Sequence, residues 1–491
     1  MIIHRKLAAS AISRRPLSAI RLFAVTEREG GALKGKTARA LLFFVVLAAI
    51  PFLVPALSAY RVAIPQSVYD LFQNRAVEVV TDHATTIQDV AGYESSGQKI
   101  HSVPGKIEDP SGRALDHFFE SLLKTETIGG KTAISHYGDS PITNDGITST
   151  VRRRLQLRFG DSGHGFILIA KPWGWYGHTG VTHEAGRGWQ SDPMFISRGD
   201  HLYGLGGVSF TSSIAGATAI FGTAEDGEVG RSVSSFDIYY LKQPGGGDFD
   251  VEIADSHYTR VATAGDEVRS GFYRVNLEEG HHRMTIKTVG GGEVRLFGVA
   301  LESGKPGVQY DSLGVNGAFI GLLANYIDAE HWAEQLRHRR PALVIIGYGA
   351  NESQFESLPM DRYERDTKEA IRRIREAAPE VSIMFVGPMD RGMRGAGGAI
   401  VTRPMIPKLI SYQRRIAAET GCAFFDTYTA MGGEGTVARW YSARPRLMGG
   451  DFTHPTAQGA EIVGTLIYEA IIEAHENYKD RMSAVSLRKR D

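Results

Sequence analysis

The chain has 491 residues, too many for one ordinary hydrophobic core, so two or three domains are expected. Its 55 basic and 55 acidic residues cancel, which excludes a net field that would gather nucleic acid or an acidic partner. A hydrophobic content of 42% is that of a folded protein, and the single cysteine, Cys422, excludes intramolecular disulfides.

The chain opens with a basic segment, residues 1–39, carrying Arg5, Lys6, Arg14, Arg15, Arg21, Arg28, Lys34, Lys36 and Arg39 against Glu27 and Glu29. The apolar run "ALLFFVVLAAIPFLVPALSA" follows and is long enough to span a bilayer, so 40–60 is expected to be a transmembrane anchor. The charge bias leaves residues 1–39 cytoplasmic and everything after Tyr60 outside, on the periplasmic face of an inner membrane. Cleavage after "ALS" at 56–58 is the alternative, which would release the protein into the periplasm; the long leading segment favours the anchor.

Residues 61–115 read as a stalk. A first α/β portion is expected over 116–199, with a short strand "KTAISHY" at 131–137. Ile147, Val151 and Leu155 then recur at helical spacing, with Arg152, Arg153 and Arg154 placed as a solvated helix face. Between strand and helix stands "GDS", Gly138 to Ser140, which is either a plain turn or a corner presenting a serine. From 200 to 303, short β-prone runs alternate with glycine clusters and no helical period, as in an antiparallel sandwich. From 304 to 476 helices alternate with continuously apolar strands such as "PALVIIGYG", "VSIMFVGP" and "CAFFD". That rhythm predicts a parallel sheet covered on both faces, interrupted by the inserted sandwich. Residues 477–491, ending in "RKR" and an aspartate, read as a solvated tail.

Ligands bind beyond the carboxyl ends of such strands, where Ser140 and Asn351 of "YGANES" both fall. "DFTH" puts Asp451 three residues before His454, so that a carboxylate can orient an imidazole. An imidazole so held can activate a hydroxyl, and Gly317 in "LGVNGA", Asn351 and the Ser140 N–H can serve as oxyanion donors. Each signal alone has a bland explanation as a turn, a loop or a helix cap. Their order along the chain, each at a strand end, is what gives them weight.

In that order, Ser140, Gly317, Asn351 and His454, with Asp451 as the acid, resemble the SGNH or GDSL-type hydrolases. "RLQLRFGDSGHGF" at 154–166, "GVQYDSLGVNGA" at 307–318 and "TAMGGEG" at 429–435 are similar to the branch containing periplasmic peptidoglycan O-acetylesterases. The resemblance implies a flavodoxin-like three-layer α/β fold carrying a carbohydrate-binding β-sandwich between the first and second blocks. It implies Ser140 as nucleophile, His454 as base, Asp451 as its orienting acid, and no cofactor or metal. Pro141 and the "DFTH" pattern depart from the family's usual residues without removing a catalytic group.

His136, His164, His178 and His183 fit no metal template by spacing. Trp173, Trp175 and Tyr176 in "KPWGWYGH" offer faces suited to sugar rings, or else pack in a loop. The expected activity is an envelope esterase acting on an acylated glycan, peptidoglycan foremost. The alternatives are an O-acyltransferase using the same serine and a non-catalytic glycan-binding protein.

Overall fold

The computed structural model describes residues 105–196, 199–254 and 257–488, with two short paired strands at 94–95 and 98–99. The basic segment 1–39, the expected anchor 40–60 and most of the expected stalk lie outside the described residues. Among the described residues, no helix is long and apolar enough to cross a membrane.

The α/β part is built in chain order from β1 (Ile107–Glu108), α1 (Asp116–Ile128), β2 (Lys131–Gly138), α2 (Gly146–Phe159), β3 (Gly307–Gly314), α3 (Ala329–Arg339), β4 (Leu343–Gly347), α4 (Met360–Ala377), β5 (Ser382–Val386), α5 (Met405–Thr420), β6 (Ala423–Phe425) and α6 (Ala457–Arg488). The sheet order is β3-β2-β4-β5-β6-β1, parallel throughout except for β1, which pairs antiparallel with β6. Strand residues alternate between the two faces. In β4, Leu343 and Ile345 join the core under α1, α2 and α6, while Val344 and Ile346 join the core on the other face. Both faces are therefore covered, which is why these strands read as unbroken apolar runs.

Between α2 and β3 the chain forms two antiparallel sheets. One runs Arg269–Gly280, Val233–Lys242, Val294–Glu302, Val208–Ser212 and Gln190–Pro193, with Gly165–Leu168 also pairing with Val294–Glu302. The other runs His257–Ala262, Asp248–Ile253, Arg283–Gly290, Thr218–Thr223 and Val181–Ala185. The sandwich thus begins at Gly165, ahead of the expected boundary at 200. Residues 171–193 are polar and glycine-rich, so their strands carry no alternation that sequence could register.

This sandwich is not a separate core. One cluster of buried side chains joins Phe221, Phe236 and Phe249 of the sandwich to Trp332 and Leu336 of α3 and to Val344 of the sheet. Two expected margins also belong to the fold. β1 lies inside the expected stalk, and α6 continues through the expected tail, burying Tyr478 and pairing Arg481 with Asp116.

Candidate active site

The register of the sheet builds the site. Gly314 of β3 and Gly347 of β4 both stand opposite Gly138 of β2, so three neighbouring strands end level with one another. A Cβ on Gly138 would lie 2.8 Å from the Gly347 carbonyl oxygen, so a larger residue would push these strand ends apart. Just past them stand Ser140, Gly317 and Asn351.

Ser140 opens a single 3₁₀ turn, Ser140–Ile142, closed by the Thr143 N–H donating to the Ser140 carbonyl at 3.2 Å. Pro141 suits the second position of that turn, because its ring presets φ and the turn asks no N–H of it. Ahead of it, extended Asp139 accepts the Ala350 N–H at 3.0 Å, tying the serine corner to the loop that carries Asn351.

The structure brings His454 and Asp451 to this corner. His454 Nε2 lies 2.7 Å from Ser140 Oγ, and His454 Nδ1 lies 2.5 Å from Asp451 Oδ2. The other oxygen of Asp451 accepts the backbone N–H groups of Thr453 at 3.0 Å and His454 at 3.1 Å. Burial would raise the Asp451 pKa, but the hydrogen bond and charge of His454, with those two N–H groups, hold it down at about 2. Its side chain is 49% exposed, so solvent screens much of this interaction. Phe452, between Asp451 and His454, sits at φ 57, a conformation costing a bulky residue about 1–3 kcal/mol. Its ring is held against Tyr441 at 5.0 Å and under the Arg394 guanidinium at 5.3 Å.

Gly317 is the third residue of the turn Val315–Ala318, closed by the Ala318 N–H at 3.1 Å. Its φ of +77 is the left-handed value that such turns reserve for glycine. Asn351 Nδ2 donates to the Ala318 carbonyl at 2.8 Å, joining the Gly317 and Asn351 loops and leaving its second amide proton to aim elsewhere.

Three buried or half-buried ionisable groups escaped the sequence reading. Burial lifts Asp139 to about 6 against the opposing pull of the Ala350 N–H, His454 and Arg391. Burial lifts Glu352 further, to about 8, although its Oε1 accepts the Ile320 N–H at 2.9 Å. Arg391 donates to Thr453 Oγ1 at 2.9 Å and, from Nη1, to the Ala350 carbonyl. It lies in the loop after β5, and the rule that sites lie past strand ends could have singled it out.

The aromatic candidates divide. Trp175 is 57% exposed, Trp173 is partly buried, and Tyr176 is buried with its hydroxyl accepting the Leu168 N–H at 3.0 Å. Tyr176 is therefore a packing residue with no free face for a sugar ring. The loop bearing them touches the serine corner, with the Gly177 N–H donating to the Thr143 carbonyl at 3.4 Å.

Spacing also missed a cluster. Asp145, His164 and His178 bring ligand atoms within 4.8 Å of one another. Their donors are engaged mutually: His164 Nε2 meets His178 Nδ1 at 2.9 Å, and Arg152 takes both Asp145 oxygens at 3.0 and 2.6 Å. A guanidinium already neutralises that carboxylate, so these residues do not fit a cation.

Residues 284–462 match the model of the GDSL-like lipase/acylhydrolase family, a span holding Gly317, Asn351, Asp451 and His454. No curated protein matches the sequence. A solved structure of a peptidoglycan O-acetylesterase covers 76% of this chain and 99% of its own, at 22% identity and a TM-score of 0.63. At that identity the likeness establishes a shared fold, sandwich included. A family two carbohydrate esterase from Cellvibrio japonicus covers 63% of this chain and 98% of its own, at 11% identity and a TM-score of 0.25, too distant to bear on substrate. With the fold and these strand-end residues in place, the chain carries a GDSL-like lipase/acylhydrolase domain of SGNH type and is a carboxylic ester hydrolase.

Proposed function

We propose that the protein is a serine esterase of the cell envelope that removes O-acetyl, or similar O-acyl, groups from a glycan, with peptidoglycan the foremost substrate. The observation that carries this reading is the hydrogen-bonded chain from Ser140 Oγ through His454 to Asp451, at 2.7 and 2.5 Å, beside the Gly317 and Asn351 loops.

In this mechanism Ser140 Oγ attacks the ester carbonyl while His454 Nε2 takes its proton and Asp451 stabilises the imidazolium. The tetrahedral oxyanion faces the N–H groups of Ser140 and Gly317 and the Asn351 amide. Collapse breaks the ester bond, and the glycan oxygen leaves with the proton from His454. Water, deprotonated by His454, then attacks the acyl-serine; carboxylate departs and Ser140 regains its proton.

Support for a glycan comes from the O-acetylesterase with the same fold and from Trp173 and Trp175 near the serine corner. Support for an envelope location comes from the apolar run 40–60 and the cations before it. The deciding experiment measures acetate released by the full chain from 4-nitrophenyl acetate and from O-acetylated peptidoglycan. Release from both, abolished by Ser140→Ala, supports the reading. Acyl transfer to an added glycan without net acetate release would replace it with a transferase.

A further inference from the structure

His454 and Asp451 have side chains 42% and 49% exposed, so burial does not fix their positions. The turn between them contains Phe452 at positive φ and needs external ties. Those ties converge on one segment after β5. The Gly392 N–H donates to the Phe452 carbonyl at 2.8 Å, and Arg391 Nε donates to Thr453 Oγ1 at 2.9 Å. From the same guanidinium, Nη1 donates to the Ala350 carbonyl and reaches Ser353 Oγ at 3.3 Å. Ala350 and Ser353 bracket Asn351. One planar, rigid cation thus spans the turn carrying the base and the loop carrying the proposed oxyanion amide.

The chemistry of the bridge suits that task. Both carbonyl and hydroxyl acceptors are neutral, so the bonds set geometry without neutralising the cation. The charge stays available to Asp139 and Asp451, which both interact electrostatically with Arg391. Asp139 in turn accepts the Ala350 N–H, so the same residue is gripped from two sides.

We propose that Arg391 is a positioning residue that locks the His454 turn to the Asn351 loop, so that base and oxyanion donor keep their spacing through the reaction. This rests on the serine-esterase reading. It goes beyond that reading because the Arg391 side chain bonds to Thr453, Ala350 and Ser353 rather than to Ser140, His454 or Asp451.

The test uses the full chain with Arg391→Ala, Arg391→Lys and Thr453→Val, and Ser140→Ala alongside, on a small acetyl ester. Arg391→Ala is expected to lower kcat about 10²-fold, the scale of a misplaced catalytic group, with KM nearly unchanged. Guanidinium ion at millimolar concentration is expected to restore part of that kcat. Arg391→Lys, which keeps the charge but not the fork, is expected to fall in between. Thr453→Val should lower kcat in the parent but little further in Arg391→Ala, because both remove one bond. Parent kcat in Arg391→Ala, a loss carried wholly by KM, indifference to guanidinium, or additivity with Thr453→Val would each overturn the proposal. If Arg391→Ala does not fold, parent kcat in both Thr453→Val and Arg391→Lys overturns it. A Ser140→Ala protein as active as the parent would instead bring down the esterase reading itself.

Discussion

The Arg339 guanidinium meets both carboxylate oxygens of Asp311, each at 2.8 Å, in the buried seam between the sandwich and the α/β sheet. Asp311 also accepts Ser135 Oγ from β2 and the Phe166 N–H from the first sandwich strand, each at 2.8 Å. Arg339 extends to Glu302, and its neighbour His338 stacks on Phe272 with centroids 3.7 Å apart. The seam is wired as an interior. Asp311→Ala leaves a buried guanidinium short of its partner and is expected to cost about 3–5 kcal/mol in denaturant unfolding. A cost under about 1 kcal/mol would mean that the seam is wet and the two parts independent. On the same grounds, excising 165–302 should leave no cooperatively unfolding remainder.

That result bears on how much the sequence disclosed. The strands of the parallel sheet were legible because burial on both faces makes them unbroken apolar runs. The site was legible as an order of residues at strand ends. An inserted sandwich was also legible, but its start at Gly165 and its shared core were not. Shared cores depend on pairs such as Asp311 and Arg339, which meet only once the fold brings them together. Asp139, Glu352 and Arg391 escaped for a similar reason, since their roles arise from contacts between loops. Tyr176 kept two readings open, because an aromatic beside two tryptophans looks the same whether its face is free or buried.

Trp175 and Tyr176 should therefore behave as opposites. Trp175→Ala removes an exposed face, so it is expected to raise KM on acetylated glycan polymer while sparing small esters and stability. Tyr176→Phe removes a hydroxyl that satisfies the buried Leu168 N–H and meets His178 Nε2 at 2.9 Å. It is expected to cost about 1–3 kcal/mol of stability and leave substrate preference alone. Equal effects of the two substitutions on polymer KM would refute the division.

Glu352 offers a pH signature. Its carboxyl titrates near 8 when folded, because of burial, against an ordinary value of 4.5. Between those values the unfolded chain has released this proton and the folded protein still holds it. The contribution of Glu352 to stability therefore falls as pH rises from about 4.5 to 8. Glu352→Gln removes the ionisation with little change of shape. It should match the parent near pH 4 and exceed it at pH 7 by about 3 kcal/mol, read from melting curves across pH. Parallel curves would show that Glu352 is solvated or ionised in the fold.

The membrane proposal has its own test. Reporters fused after residue 61 in the full-length context should be active only if they work outside the cytoplasm, because the cations of 1–39 hold that end inside. A reporter active only in the cytoplasm at that junction would reverse the orientation.

The serine corner itself is tested by four substitutions with graded outcomes. Ser140→Ala and His454→Ala each remove a group without which no acyl-serine forms, so turnover of small acetyl esters should fall nearly to what binding and oxyanion donors alone provide. Asn351→Ala deletes one oxyanion amide and should cost about 3 kcal/mol of transition-state stabilisation, mostly in kcat. It also cuts the bond to the Ala318 carbonyl, so some added mobility of the Gly317 turn is expected. Asp451→Ala should hurt less than His454→Ala, because the imidazole remains beside Ser140 Oγ at 2.7 Å while losing its orienting partner. The hydroxyl and imidazole fill no core volume, so Ser140→Ala and His454→Ala should unfold with the parent. If Ser140→Ala hydrolysed the esters at the parent rate, Gly138 to Ser140 would be an ordinary turn and the hydrogen-bonded chain beside it a coincidence of packing.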